Sequence, residues 1–139
     1  MIRPAKSSAK PARANGTRAG AERADGRRAA GQRAEELAAD YLQGHGLQPV
    51  ERNYTCRLGE IDLILADGAS LVFVEVRLRR NQAFGGAAAS ITATKRQRIL
   101  RAARHYLSGK PERPCRFDVI LLDALDLERI EWIKDAFGE

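Results

Sequence analysis

The segment LGEIDLILADGASLVFVEVRLRR, residues 58–80, decides the fold that the sequence predicts. It predicts two strands joined at Asp67-Gly68, because an Asp-Gly pair between alternating apolar residues is typical of a two-residue hairpin turn. Side chains alternate between the two faces of a strand. One face of the second strand is apolar from Val72 to Leu78. The other face of the ribbon gathers the charged residues Glu60, Asp62, Glu75 and Arg77.

The position of the turn determines which of these charged residues are neighbours. A loop formed by residues 67–68 sets Asp62 opposite Phe73 and Glu60 opposite Glu75. Asp62 and Glu75 are then diagonal neighbours, about 7–8 Å apart at the backbone. Two carboxylates at that range can hold one divalent cation between them. A turn longer by one residue would move them to opposite faces, since the side-chain period of a strand is two.

The charged face has a simpler interpretation as well. An antiparallel ribbon usually buries one face and leaves the other in water. The acids and arginines, including Arg79, could therefore form an ordinary solvated face with cross-strand ion pairs. The pattern alone leaves both interpretations open.

Composition favours a soluble globular protein. The chain has 139 residues, of which 44% are hydrophobic and 30% charged, enough for one domain with a core. Its apolar runs are too short to span a membrane, and its basic N-terminus lacks the apolar segment of a secretory signal. Cys56 and Cys115 suit neither a disulfide framework nor a zinc site, so we expect a reducing cytoplasm and no membrane association.

The charge is unevenly distributed along the chain. Residues 1–30 contain eight Lys or Arg and two acids, whereas residues 31–139 contain sixteen of each. Residues 77–104 carry eight basic side chains and no acid, and residues 118–139 carry seven acids and two bases. A basic stretch that begins at a carboxylate cluster suits a phosphate-backbone ligand, and nucleic acid is the expected partner. The candidate nucleic-acid-binding residues are Arg79, Arg80, Lys95 and Arg98.

The N-terminal segment is predicted to lie outside the fold. Apart from Met1 and Ile2, residues 1–30 offer only alanine as apolar surface, which is too little to offset the entropy of ordering. We therefore predict a disordered basic tail at residues 1–28 and a single domain at residues 29–139. The tail could hold nucleic acid loosely, could serve only solubility, or could be a targeting peptide, although its prolines argue against the last.

The remaining elements follow from periodicity. Helices are predicted at residues 31–44 and 92–108, and further strands at 47–56, 115–123 and 127–133. Pro49 favours an edge position for residues 47–56, and the apolar run at 115–123 favours a central one. Glu35 falls at the edge of the first helix's apolar stripe and Glu36 points to solvent. The order is αβββαββ, which is an α/β (α+β) fold.

Several motifs together resemble the YraN family. They are GQRAEELAADYL, RNYTCRLGEIDLI, VFVEVRLRR, FGGAAASIT, CRFDV and EWIKDAF, and the resemblance covers residues 31–138. It implies a restriction-endonuclease-like core of the PD-(D/E)xK superfamily, with a mixed five-stranded sheet flanked by two helices and the acidic ribbon at its centre. Archaeal Holliday-junction resolvases are similar in this core.

The resemblance also implies roles for individual residues. Glu35 matches the family's helical acid, Asp62 the metal-binding aspartate, and Glu75 the glutamate of the E-x-K motif. These three would hold Mg²⁺ or Mn²⁺, the ions favoured by oxygen ligands with incomplete coordination. Arg77 departs from the nuclease pattern, which has lysine at that position.

Arg77 decides between two hypotheses. Arginine can stabilise a phosphate but cannot act as a base. Catalysis would then need either a metal-bound hydroxide that requires no base or an amine from Lys95 at the start of the second helix. The first hypothesis is a metal-dependent DNA endonuclease, acting on branched or distorted structures, with Asp62, Glu75, Arg77 and Lys95 as catalytic residues. The alternative is a nucleic-acid-binding module that keeps the fold without catalysis. The sequence also leaves open a homodimer and a protein-interaction role of the acidic C-terminal segment.

Overall fold

The computed structural model describes residues 18–79, 91–123 and 126–138. The order of elements within these ranges is αβββαββ, as predicted. The elements are α1 (Arg18–Gly44), β1 (Gln48–Cys56), β2 (Gly59–Asp67), β3 (Ser70–Arg79), α2 (Ala93–Leu107), β4 (Cys115–Asp123) and β5 (Asp126–Phe137). None of the helices in this described part of the chain has the length and apolar character that crossing a membrane needs.

The five strands form one mixed sheet in the order β1-β2-β3-β4-β5. Neighbouring strands are antiparallel, except for β3 and β4, which run parallel and are connected through α2. The predictions of an edge position for β1 and an inner position for β4 are confirmed. The strand that carries Glu75 and Arg77 is therefore the middle strand of the sheet.

The two helices cover opposite faces of this sheet. Val72 and Val74 of β3 pack with α1 residues in one core cluster, whereas Leu71 and Phe73 pack with α2 residues in another. Since successive residues of a strand point to opposite faces, the two clusters lie on the two sides of the sheet. Both faces are thus covered, which fits the nearly continuous apolar run along β3 and β4.

The hairpin turn lies one residue later than predicted. Gly68 and Ala69 form the loop, and Asp67 pairs with Ser70. Gly68 has a φ of 61°, while Asp67 and Ala69 are not among the residues with positive φ. A loop with glycine at its first central position is a type II′ turn. The predicted loop at 67–68 would have needed Asp67 in the left-handed region, and the glycine takes that position instead.

This turn changes which residues face one another across the hairpin. Phe73 pairs with Ile64, so the predicted pairing of Phe73 with Asp62 is wrong. The same register, continued by one residue, sets Asp62 against Glu75, and the predicted pairing of Glu60 with Glu75 is also wrong. Because the shift is two residues, it does not by itself exchange the two faces of the hairpin, although Ile61 packs on the α2 side, opposite to its predicted partners Leu63 and Leu65. The two acids therefore come closer than the predicted diagonal.

The first helix begins at Arg18, thirteen residues before its predicted start. Alanine and arginine have high intrinsic helix propensity, so this stretch can be helical without an apolar stripe. The predicted start at residue 31 followed from the apolar stripe, and residues 18–28 were therefore predicted to lie in the tail. Residues 1–17 lie outside the described ranges, and the division of the chain into a tail and a domain stays a prediction.

A buried carboxylate ties β4 to β5. Asp118 is fully buried and accepts hydrogen bonds from Arg116 Nε at 3.0 Å, Trp132 Nε1 at 2.9 Å and the Asp135 main-chain N–H at 2.9 Å. Arg116 also reaches Asp67 at the hairpin turn, with 3.1 Å between NH1 and Oδ2. Removing one partner from such a buried pair typically costs about 3–5 kcal/mol, so this network stabilises the edge strand β5.

Candidate functional site

The candidate site lies where β2 and β3 separate. Their ladder ends at the pair Leu63–Val74, and the next residue on each strand is an acid, Asp62 or Glu75. Asp62 Oδ2 accepts a hydrogen bond from the Val76 main-chain N–H at 2.9 Å. The side chain of Asp62 thus satisfies a main-chain donor beyond the end of the ladder, which fixes the carboxylate against β3.

Glu75 lies at the centre of the site. It is buried, with 5% of its surface exposed. Its Oε2 lies 3.5 Å from Arg77 NH1 and 3.6 Å from Lys95 Nζ. Arg77 shares the Glu75 face of β3, and Lys95 comes from α2. A buried carboxylate is tolerated when it is paired, and these two cations compensate its charge.

The start of α2 places Lys95. Thr92 caps the helix, and its side chain accepts a hydrogen bond from the Lys95 main-chain N–H at 3.1 Å. A threonine N-cap satisfies one of the free donors of the first turn and so fixes where the helix begins. Lys95 therefore lies in the first turn of α2 with its side chain directed at Glu75.

The close contact between α2 and β2 depends on a glycine. A Cβ at Gly59, which begins β2, would lie 2.5 Å from the carbonyl oxygen of Arg98. Only glycine therefore allows the strand to approach the helix backbone this closely. Arg98 is one turn after Lys95, so the contact helps to set the distance between Lys95 and the strands. Gly59 was not predicted to matter for the site. The feature of the sequence that could have indicated it is a glycine directly before the acidic residues of the strand.

Two carboxyls of the site, Asp62 and Glu35, have raised pKa values. Burial raises the pKa of Asp62 to about 7, with a further increase from the neighbouring Glu75. Burial likewise raises the pKa of Glu35 on α1 to about 7, and the charge of Asp62 adds to the effect. A hydrogen bond from the Val76 N–H opposes the shift at Asp62, and one from the Asn53 side chain opposes it at Glu35. Asp62 thus interacts electrostatically with both Glu35 and Glu75.

The donor set fits a hard divalent cation. Within residues 18–79, 91–123 and 126–138, no three His, Cys, Asp or Glu side chains form a ready-made metal cage. Asp62 and Glu75 instead offer a pair of carboxylates with Glu35 beside Asp62. Mg²⁺ is usually held in this way, by one or two carboxylates with water and substrate phosphates completing the octahedron. Asp62 and Glu75 could hold such an ion, and a bound cation would offset the repulsion between their negative charges.

The predicted nucleic-acid-binding residues have different surroundings. Arg98 is exposed on α2. Arg79 is partly buried, with its NH1 3.4 Å from Glu131 Oε1. Arg80 lies outside the described residues, as does the loop at 81–90 with its two glycines. Lys95 and Arg98 are therefore the two predicted phosphate contacts that lie together on α2.

The site lies entirely within a region shared with known proteins. A family model described as "Uncharacterised protein family UPF0102" matches residues 34–122, nearly two thirds of the chain. The chain belongs to this family. The YraN family that the sequence motifs predicted is UPF0102, so that prediction is confirmed. The matched region contains the predicted catalytic and metal-binding residues Glu35, Asp62, Glu75, Arg77 and Lys95.

Relatives in the UPF0102 family match most of their own length. A UPF0102 protein of Methylobacillus flagellatus is 55% identical over 102 residues, which are 73% of this chain and 90% of the relative. One from Dechloromonas aromatica is 59% identical over 101 residues, covering 73% of this chain and 82% of the relative. One from Nitrosomonas europaea is 53% identical over 105 residues, covering 75% and 89%.

Proposed function

We propose that this UPF0102 protein is a metal-dependent nuclease that hydrolyses phosphodiester bonds of DNA. The observation that carries the proposal is the convergence of Asp62, Glu75, Arg77 and Lys95 at the point where β2 and β3 separate. Two acids that can hold a cation, a permanent positive charge and an amine are the groups that hydrolysis of a phosphodiester needs. The raised pKa values of Asp62 and Glu35 support a functional site, because such shifts cluster at functional sites.

The acids would hold the metal. Asp62 and Glu75 are the ligands, and Glu35, whose pKa is raised by burial and by the charge of Asp62, would take part directly or through water. Mg²⁺ or Mn²⁺ supplies Lewis-acid polarisation of the phosphate and a water of lowered pKa. The hydrogen bond from the Val76 N–H holds Asp62 in place, so this ligand does not need to be reoriented when the ion binds.

Arg77 and Lys95 would together take the roles that the single lysine has in the E-x-K motif. Arg77 stays charged at any working pH, so it can stabilise the negative charge that develops on the phosphate. Lys95 supplies the amine of that motif, which would orient the attacking water or act as its general base. Its position beside Glu75 lets both groups act on the same phosphate.

The outer side of α2 would bind the DNA backbone. Arg98, Arg101 and Arg104 are exposed on this helix, which has Lys95 in its first turn beside the site. Contacts of this kind are independent of sequence and weaken steeply with salt, because binding releases counterions. A duplex lying along α2 would bring a phosphate to the acids. Branched or distorted DNA, the substrate expected from the sequence, is part of this proposal.

One observation favours a second candidate, a DNA-binding module without catalysis. Glu75 is already compensated by two cations, and the described residues contain no cage of three acids. In that case the acids and cations would serve structure alone. Such a module would bind DNA with strong salt dependence and without any need for a divalent metal.

A metal titration separates the two candidates. We expect Mn²⁺ to raise the melting temperature of the parent protein and to leave that of Asp62→Ala unchanged, because ligand binding to the folded state stabilises it by mass action. Arg101→Ala is the matched control, since it changes a charge on α2 away from the acids. If Mn²⁺ leaves the parent unchanged while DNA still binds, the binding module is the better account.

A further inference from the structure

The tip of the β1–β2 hairpin carries a large apolar side chain in water. Cys56 pairs with Gly59, so Arg57 and Leu58 form a two-residue loop. Leu58 is 44% exposed, and Val50 of β1, at 47%, is the other exposed large hydrophobic residue within the described ranges. A single exposed leucine is common on protein surfaces, so the significance of Leu58 depends on its surroundings.

The residue types of this loop are unusual for a tight turn. Two-residue hairpin loops are dominated by glycine, asparagine and aspartate, because their usual conformations require positive φ. Neither Arg57 nor Leu58 is among the residues with positive φ. Turn chemistry therefore gives no reason for a leucine at the tip of this hairpin.

The loop is held against the helix that is proposed to bind DNA. A Cβ at Gly59, the residue after Leu58, would lie 2.5 Å from the carbonyl oxygen and 3.2 Å from the Cβ of Arg98. The loop thus meets α2 one turn after Lys95, the residue that reaches the acidic site. Leu58 precedes Asp62 by four residues, which is about 13 Å along an extended strand. The exposed leucine therefore stands close to the proposed metal ligands.

Positive charge lies on both sides of Leu58. Arg57 precedes it in the loop and Arg98 lies on α2 at the contact with Gly59, and both arginines are exposed. In the part of the chain that the structure describes, neither arginine forms an ion pair with a carboxylate. An apolar side chain between two such cations suits DNA, because phosphates attract the charges and unstacked bases offer an apolar face.

We propose that Leu58 is a wedge that inserts between the bases of DNA bound along α2 and directs the enzyme to distorted duplexes. The inference rests on the proposed function, whose substrate class it makes specific. Proteins that kink DNA insert leucine and similar apolar side chains between base steps and unstack them, which costs free energy. The cost is lower where a mismatch or branch has already weakened the stacking. A wedge beside the acids therefore favours cleavage of such DNA.

Unstacking can be measured without any cleavage. The full chain is bound in EDTA to a duplex that carries 2-aminopurine next to a central mismatch, and the fluorescence of this base rises when it is unstacked. At saturating protein, we expect the parent and Leu58→Phe to raise the fluorescence and Leu58→Ala to lose most of the rise. Val50→Ala is the matched control, since it shortens the other exposed apolar side chain, near the opposite end of β1, and should behave as the parent does.

Cleavage in Mn²⁺ gives a second readout. The parent should cut a mismatched or branched duplex faster than a matched one, and within about four base steps of the distortion, because about 13 Å of strand covers about four steps of about 3.4 Å. Leu58→Ala should lose about tenfold or more of this preference. Its melting temperature should stay that of the parent, because the side chain that it shortens is exposed.

The outcomes separate this inference from the proposed function. A bound parent that leaves the probe stacked, or equal fluorescence with the parent and Leu58→Ala, overturns the wedge and leaves the nuclease proposal standing. A parent that unstacks the probe through Leu58 but cleaves neither duplex overturns the nuclease and keeps the wedge as a property of a DNA-binding module. A parent that binds neither duplex overturns both.

Discussion

Lys95 Nζ in the first turn of α2 lies 3.6 Å from Glu75 Oε2 in the middle strand. A lysine therefore reaches the acidic site from a helix, while the strand position two residues after Glu75 is occupied by Arg77. The two cations approach the same carboxylate oxygen, Arg77 at 3.5 Å. This arrangement keeps both an amine and a permanent charge at the site, although the strand lacks the lysine of the nuclease pattern.

Lys95→Ala should lower the rate of DNA cleavage by about 10²–10⁴-fold, the usual contribution of a general acid or base. DNA affinity should fall far less, because only one of several cationic contacts is lost. The measurement is single-turnover cleavage of a labelled duplex beside a binding titration. Arg129→Ala, which removes an exposed charge from β5 outside the proposed DNA surface, should leave the cleavage step unchanged. Equal effects of the two substitutions on cleavage would show that Lys95 acts only through charge.

Arg77→Lys should keep or raise the cleavage rate, since lysine retains the positive charge and can also lose a proton. Arg77→Ala should lower the rate by about 10²–10³-fold if the guanidinium stabilises developing charge. The Arg77 side chain is 36% exposed, so neither change should unfold the protein. Cleavage rates at saturating DNA are the readout. If both variants cleave and bind DNA as the parent does, Arg77 belongs to an ordinary solvated face of the ribbon and has no role in the reaction.

The metal-free protein should lose stability as pH rises. Asp62 and Glu35 have folded-state pKa values near 7, above their ordinary 3.8 and 4.5. The folded state thus binds protons more tightly, so this contribution is complete below about pH 4 and is lost as pH rises through about 7. Asp62→Asn removes one titrating acid and should reduce the fall in melting temperature between about pH 5 and pH 8. Identical pH slopes for the parent and the variant would contradict this assignment.

Gly59→Ala should displace α2 from the strands. The new Cβ would lie 2.5 Å from the Arg98 carbonyl oxygen, and a backbone atom cannot move away cheaply. Overpacking of this kind typically costs about 1–3 kcal/mol, to be measured by urea unfolding. Cleavage should fall as well, since Lys95 moves with the helix. Gly44→Ala is the control, because a Cβ there meets no described atom within 4 Å. Similar stability of the two variants would show that the contact at Gly59 does not matter.

Local patterns were sufficient to predict most of the fold. The alternation along β2 and β3, the apolar run of β4 and the amphipathic spacing of α2 each reflect burial on one or two faces. These elements therefore appeared at their predicted places. The hairpin register was harder, because the pattern is unchanged by a shift of two residues. Only the φ of Gly68, which puts glycine first in the loop, decides it.

The acids of the site could be predicted from the sequence, but the arrangement of the groups around them could not. Asp62 and Glu75 follow from the acidic strand pattern, and Lys95 was a candidate because it begins a basic helix. Gly59 acts through a contact with Arg98 that no local pattern contains.

The most direct test of the proposed nuclease is cleavage of branched and linear DNA by the purified full chain with Mg²⁺ or Mn²⁺. The parent should cleave, chelation of the metal should stop it, and Asp62→Ala and Glu75→Ala should each lose at least about 10²-fold while remaining folded. Cleavage that survives both substitutions would contradict the account, as would a folded parent that binds DNA and Mn²⁺ but cuts neither substrate.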